Sequence, residues 1–474
     1  MCWTNAKLER QRVWRSQIRK VGVLATVTFL LASTIASAQT TVDLTLTEAR
    51  ALATQALFAG NSGLALDVAR AVLTQAPDDR AALTIVAAAA PQQGDPRAGR
   101  IAGARAFALS QNNVQRYEAA RLTALAAANE QRLTLASFWL RRALIVASSD
   151  EERAQTISDA RLLRRQNPWS FDVSGALAPS SNVNGGAAES DVPDLFGLVG
   201  SLSDAALQQP GFRATLGLNI GYRLQESTTS RTTIGAQYQM NRVKLTNDVA
   251  LPDDAFATDV AELSLRHDQA LDNGSITGRL TTGKFIYRQL IADETESQNR
   301  FANSLRLGLD RRLPIGAQSE LTLSFDRGIT NYEDTRIGQV RRSGLGASLA
   351  HILPSGDLLS TGVSYAKSDA SNQAYISTEW TLRGSYNRAE AIGPFSFGVS
   401  GGVTWSDYPE YVLFAGPDGR QDTTLFYGIN IGFPDVSYAG FTPALTVSGS
   451  STDSNVSRFT RDALSVGLSI SSQF

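Results

Sequence analysis

Few side chains in this sequence are spaced for bond-making chemistry. Its only histidines are His267 and His351, and His267 precedes Asp268 in a stretch whose residues alternate in character. Consecutive side chains there point to opposite faces, so the two cannot work as a base and the acid that orients it. The single cysteine is Cys2, which leaves no disulfide and no paired thiolate site. No glycine-rich phosphate loop or metal-ligand cluster appears. The acids Asp253-Asp254, Asp293-Glu294 and Asp418 could bring several oxygens to a hard cation, but solvated loop charges are the simpler reading. The pairs Arg141-Arg142 and Arg164-Arg165 could line a groove for an anion, although such charges more often form a solvated helix face. The sequence therefore predicts no catalytic residue, no cofactor and no metal ligand.

The strongest pattern lies in the last residues. Leu464, Val466, Leu468, Ile470, Ser472 and Phe474 alternate with Ser465, Gly467, Ser469, Ser471 and Gln473, the two-residue period of a strand. One face suits hydrocarbon and the other water. Such a strand resembles the closing strand of a bacterial outer-membrane barrel, with Leu464, Val466, Leu468, Ile470 and Phe474 as its membrane-insertion signal. The alternative is an edge strand of a soluble sandwich.

At the other end, Lys7, Arg10, Arg12, Arg15, Arg19 and Lys20 stand against Glu9, followed by the apolar run Val21–Ile35 and Ala36-Ser37-Ala38. This predicts a secretory signal peptide over 1–38. Removing it takes six basic residues and one acidic, so the formal charge moves from −1 to −6, which gives nucleic acid no reason to bind. Mean hydropathy is −0.13, ordinary for a soluble protein and equally for a barrel with only alternate residues facing lipid.

From Leu44 to Asn167 the chain is rich in Ala, Leu, Arg and Gln with apolar residues at helical spacing. Helices are predicted over 46–59, 64–75, 81–90, 97–109, 114–128, 133–147 and 151–165. Ala53, Ala65 and Pro77 suggest a degenerate tetratricopeptide-like repeat. Such a stack carries a concave face suited to an extended peptide or a partner helix.

Pro168 ends the helical pattern. Beyond it, alternating segments predict about fourteen antiparallel strands near 170–179, 211–224, 231–244, 257–270, 275–288, 299–313, 317–330, 339–353, 357–369, 373–387, 393–408, 421–434, 438–453 and 459–474. Connections after even strands, such as 271–274, 353–356 and 434–437, are short. Those after odd strands, such as 180–210, 246–256, 290–298 and 410–420, are longer, and 369–372 breaks the trend. That asymmetry separates periplasmic turns from extracellular loops and puts the helical region in the periplasm. The predicted fold is α+β, a tetratricopeptide-like helical repeat domain over 39–167 followed by a transmembrane antiparallel β-barrel over 168–474 in the outer membrane.

Two stretches resemble the Slam proteins, the surface lipoprotein assembly modifiers. One is Pro168-Trp169-Ser170-Phe171 leading to Pro179, Asn182 and Asn184. The other is the final hairpin with Gly440-Phe441-Thr442-Pro443, Ser454-Asn455 and Phe474. The resemblance implies an outer-membrane translocator that carries a lipoprotein or related secreted protein from periplasm to surface, with structural roles for the motif residues. Its partners would be that protein client, outer-membrane lipid, the barrel assembly machinery and periplasmic chaperones. A polysaccharide exporter and a general porin remain open alternatives, although exporters carry longer repeat superhelices.

Overall fold

The computed structural model describes residues 43–193, 199–412, 415, 417–436, 438 and 440–472, and from Leu46 onward they form one unit. The signal-peptide segment and Phe474 lie outside the described residues. Seven described helices come first: α1 (Leu46–Phe58), α2 (Ser62–Gln75), α3 (Arg80–Ala89), α4 (Pro96–Ala108), α5 (Asn113–Asn129), α6 (Leu133–Val146) and α7 (Asp150–Gln166). The starts of α3, α4, α5 and α7 are fixed by side chains that satisfy orphan N–H groups. Asp79, Asp95, Asn112 and Ser149 each accept from the N–H three residues on, at 2.9, 3.0, 3.0 and 3.2 Å.

Each helix packs on the next, and α3 also touches α1 and α5. Small residues make this close stacking possible: Ala53, Ala65, Ala69, Ala106 and Ala119 are fully buried in the core shared by α1–α5. Gly103 of α4 lies so near Thr123 of α5 that a Cβ there would collide with the hydroxyl. A second core around Trp139, Leu140, Ala143 and Leu163 joins α5, α6 and α7.

Fourteen strands then close into an antiparallel barrel: β1 (Trp169–Ser180), β2 (Gly211–Glu226), β3 (Ser230–Leu245), β4 (Thr258–Leu271), β5 (Gly274–Ile291), β6 (Glu296–Ile315), β7 (Ser319–Tyr332), β8 (Gln339–Ile352), β9 (Leu358–Ala370), β10 (Ser377–Asn387), β11 (Ser396–Tyr408), β12 (Arg420–Gly432), β13 (Phe441–Ser454) and β14 (Arg461–Ser472). Each pairs with its neighbours in sequence, and β14 returns to β1. Closure leaves no edge, which a sheet in hydrocarbon requires because nothing there can hydrogen-bond a free backbone group.

Register sorts the two faces. Leu177 pairs with Leu468, Leu445 with Leu468, and Tyr365 with Trp380, which in turn pairs with Trp405. Leu177, Leu468, Trp380 and Trp405, with Leu263, Leu305, Leu345 and Leu425, form an outer belt of exposed apolar side chains in which Leu445 and Tyr365 are half-buried, an arrangement that water disfavours and lipid rewards. Aromatics cluster toward both rims. Trp169 meets Tyr222 at 4.7 Å near one end, and Tyr365 meets Trp380 at 4.9 Å toward the other.

The loops depart from expectation most clearly in two places. The connection expected over 290–298 is a tight turn of residues 292–295, because β5 continues to Ile291 and pairs it with Glu296 of β6. Those extra strand residues do not alternate: Leu290 and Ile291 are adjacent and Glu296, Ser297 and Gln298 are all polar; a hairpin rising above the lipid needs no apolar face, so the pattern that marks membrane strands fades there. On the side of short turns, the link after β12 widens from the expected 434–437 to 433–440. The three longest connections, 181–210, 246–257 and 409–419, still share one end of the barrel.

Candidate functional site

The inner face is polar. A cavity of about 690 Å³ is bounded by alternate residues of β1 to β7, among them Ser170, Asn219, Gln237, Glu262, Arg266, Arg279, Thr281, Arg306 and Asp326. Charges on this wall are largely matched. Arg306 pairs with Glu262, Arg266 with Asp268 at 2.7 Å, and Arg342 of β8 with Glu379 of β10 at 2.7 Å. The corresponding mid-strand positions of β11 to β14 are mostly small and uncharged, including Ser400, Gly402, Thr404, Thr446, Ser448 and Ser469, with Phe426 of β12 opposite Gly402 and the Arg420–Asp422 pair toward the loop end. Thr424 and Thr452 share a hydrogen bond across that wall at 2.9 Å. The channel thus has a charged side and a smooth side.

One end of the barrel carries the helices. Arg141 of α6 donates to Ser472 Oγ of β14 at 2.8 Å, and its guanidinium lies 5.3 Å from the centroid of the Phe441 ring in β13. Arg164 of α7 donates to Asp172 of β1 at 3.3 Å. In return Arg223 of β2 donates to the carbonyls of Arg165 and Asn167 at 2.9 and 2.6 Å, C-terminal acceptors of α7 and its exit that the helix itself leaves unpaired. These contacts join α6 and α7 to β1, β2, β13 and β14. Arg142, adjacent to Arg141, instead lies over the rings of Phe107, Phe138 and Trp139 at 5.0 to 5.2 Å. The two arginine pairs are therefore divided between packing, docking and the mouth.

The opposite end is covered by the segment between β1 and β2. Asn182, only 5% exposed, accepts from Gly186 N at 3.0 Å and donates to Gly186 O at 2.9 Å and Asp462 O at 3.0 Å. Asn184 donates to Leu207 O at 2.7 Å and accepts from Gln209 N at 2.9 Å. Val183 between them is 1% exposed. Ala188 N reaches Thr460 O at 2.9 Å, while Ser203 Oγ donates to Glu294 at 2.6 Å. The loop therefore runs from β14 to the β5–β6 turn. Asn455 ties two other loops, accepting from Gln421 N at 2.8 Å and donating to Gly419 O at 2.9 Å. Pro179 and Pro443 sit within β1 and β13, on either side of β14.

The remaining candidate residues are dispersed. His267 Nδ1 contacts Thr232 Oγ1 at 2.8 Å and His351 Nδ1 contacts Ser319 Oγ at 2.8 Å, while Asp268 is held by Arg266 and Thr277. Asp253 pairs with Lys244 at 2.8 Å, and Asp254 with Arg288 at 2.8 Å. The Ser297 hydroxyl and the Arg288 guanidinium hold the Asp254 carboxyl below its ordinary range, against partial burial. Among the described residues no group of three His, Cys, Asp or Glu could hold a metal ion. Leu464, Val466, Leu468 and Ile470 all lie on the exposed outer face.

Of the guanidinium cluster formed where α7 meets the barrel, the sequence points to Arg164-Arg165 and not to Arg161, Arg223 or Arg231. Arg161, Arg164, Arg165, Arg223 and Arg231 line one cavity of about 680 Å³ with Glu226. Spacing of i, i+3 and i+4 for the three helical arginines was its one visible signal.

Residues 295–474 match the family model described as Surface lipoprotein assembly modifier. The span takes in β6 to β14, and with them Pro443 and Asn455; Pro179, Asn182 and Asn184 precede it. No curated protein matches the chain. Similar solved structures include the ferric enterobactin receptor of Pseudomonas aeruginosa, at 12% identity over 59% of this chain and 53% of that one, TM-score 0.32. OpdQ of the same organism shows 11% identity over 64% and 97%, TM-score 0.31. OccAB4 of Acinetobacter baumannii shows 9% over 65% and 98%, TM-score 0.33. The chain spans about half the length of the ferric enterobactin receptor, and likeness at these scores adds nothing to the barrel already seen in the strands. The surface lipoprotein assembly modifier match and the closed, lipid-belted barrel together place this chain in the outer membrane.

Proposed function

We propose that this protein delivers a lipoprotein or related secreted protein from the periplasm to the cell surface. The single observation that carries this reading is the docked junction: a helical stack fixed by Arg141, Arg164 and Arg223 at the mouth of a polar-lined barrel whose last nine strands, β6 to β14, match the model of surface lipoprotein assembly modifiers. A porin needs no such stack.

In this reading the helical region is a tetratricopeptide-like domain in the periplasm, a signal peptide over 1–38 sends the chain there, and a concave helical face captures exposed segments of the client. Preformed helices do not have to order on binding, which lowers the cost of capture. The barrel supplies or assists passage. Leu464, Val466, Leu468, Ile470 and Phe474 act as the insertion signal read by the barrel assembly machinery after periplasmic chaperones have escorted the chain. Pro179, Asn182, Asn184 and Asn455 hold the strands and loops around the exit, and Pro443 shapes β13 at the helix-bearing end.

Deleting Leu44–Arg165 tests the division of labour. The truncated barrel should remain heat-modifiable in the outer membrane while the client, sought first as the product of the neighbouring gene, stays inside, measured by surface labelling. Undiminished surface labelling with the truncated barrel would contradict the proposal.

A further inference from the structure

We propose that the arginine-lined cavity at the helix end of the barrel is a binding site for an acidic, extended segment of polypeptide entering the lumen. Five arginines and one carboxylate, Glu226, line it, and Asp172 pairs with Arg164 beside it, which leaves a surplus of three positive charges. They come from three places. Arg161, Arg164 and Arg165 project from one face of the last turns of α7, Arg223 from the end of β2, and Arg231 from the start of β3.

Two features separate this cluster from a solvated charged face. First, it is held in place. Arg223 is fixed by Glu226 and by the carbonyls of Arg165 and Asn167, and Arg231 contacts Glu226 at 2.9 Å. Arg161 and Arg165 have no carboxylate partner among the described residues, so their guanidinium forks are available to an incoming carboxylate, which they match in geometry. The C-terminal end of α7 favours cations on its last turn, so collecting them there costs little.

Second, the cavity leads inward. Ser170 and Thr233 line both this cavity and the larger one inside the barrel, so an occupant of the first is continuous with the second. Trp169 and Phe171, flanking Ser170, turn to the outer, exposed side of β1. A lipid headgroup would approach from that outer rim and keep its chains in the bilayer. An occupant reached through Ser170 and Thr233 must tolerate a polar channel throughout, as a polypeptide does. Next along its way come Arg266, Arg279 and Arg306, of which Arg266 and Arg306 are already engaged by Asp268 and Glu262. The wider field at the mouth would therefore gather an acidic segment, and the better-neutralised wall beyond would release it.

The proposal deepens the translocator reading and takes its polypeptide occupant from it. Its test needs no client: binding of a fluorescein-labelled decaglutamate peptide to the full chain in neutral detergent, followed by anisotropy, with decalysine as the opposite-charge probe. Wild-type protein should bind decaglutamate and not decalysine. Arg161→Gln with Arg165→Gln should weaken binding at least about tenfold, with Arg165→Gln alone intermediate and each variant still heat-modifiable. Unchanged affinity in these variants would overturn the proposal, as would comparable binding of decalysine. Displacement of the peptide by millimolar inorganic phosphate would reassign the site to a free anion, and displacement by phosphatidylglycerol vesicles would reassign it to a lipid headgroup. Either result rejects a peptide site while leaving the surface-delivery reading to its own assay.

Discussion

Arg141 of α6 donates a hydrogen bond to Ser472 of β14 across 2.8 Å, joining residues 331 positions apart in the chain. With the Phe441 ring beneath the same guanidinium, it couples the helical stack to the last hairpin of the barrel. Arg141→Ala should loosen that docking by about 2 kcal/mol, the usual worth of a charged hydrogen bond with some cation–π support. Hydrogen exchange should then speed up in α6 and α7 while barrel strands and heat-modifiability stay unchanged. Equal exchange in the variant would mean that the stack is held elsewhere.

Asn182 fastens the loop over the opposite mouth to Asp462 of β14. Asn182→Ala leaves buried backbone partners unsatisfied, a loss of about 1 to 3 kcal/mol. In planar bilayers the variant should open more often or conduct more than wild type, and residues 181–210 should be nicked faster by protease. A conductance identical to wild type would show that this loop does not restrict the pore.

Recognition from sequence succeeded where one environment selects residue after residue. Lipid outside and water inside impose the alternation of Leu464 to Ile470 and its copies in every strand, and caps such as Asp79 and Asp95 mark helix starts by local hydrogen bonds alone. Legibility ended where distant elements meet. Arg161, Arg223 and Arg231 come from a helix and two strands, and nothing local in any of them announces the others. Asn182 and Asp462 are 280 residues apart. The 292–295 turn was misjudged for a related reason, since strand residues standing in water lose the pattern that lipid enforces.

The turn between β8 and β9 depends on a carboxylate. Asp357 accepts from Ala389 N at 2.9 Å, Ser355 Oγ at 2.7 Å and the Tyr386 hydroxyl at 2.8 Å, and these bonds, the Ala389 N–H first, hold its pKa below the ordinary 3.8. A depressed folded pKa contributes stability that is fully present above the unfolded value and is lost as pH falls through the folded one. Local protection of residues 353–357 should therefore be flat above pH 3.8 and decline below it. Asp357→Asn should abolish that pH dependence in exchange measurements; a decline that persists in the variant would assign it to another group.

Val466 faces outward near the middle of β14 and pairs with Val447. Val466→Arg should cost about 2 to 4 kcal/mol, the range for a cation on a barrel's lipid face. Folding into vesicles, followed by the heat-dependent gel shift, should become less complete, whereas Ser465→Arg on the inner face should have much less effect. Similar losses for both substitutions would contradict the assignment of faces.

Surface delivery is tested most directly in a Gram-negative host that naturally lacks both this protein and its client. The neighbouring-gene lipoprotein is expressed alone, with the intact chain, or with the intact chain carrying Arg141→Ala, and its exposure on whole cells is read by antibody labelling and protease shaving. Exposure should appear with the intact chain and fall in the Arg141→Ala cells at equal client abundance. A client equally exposed with and without this protein would contradict a role in its transport.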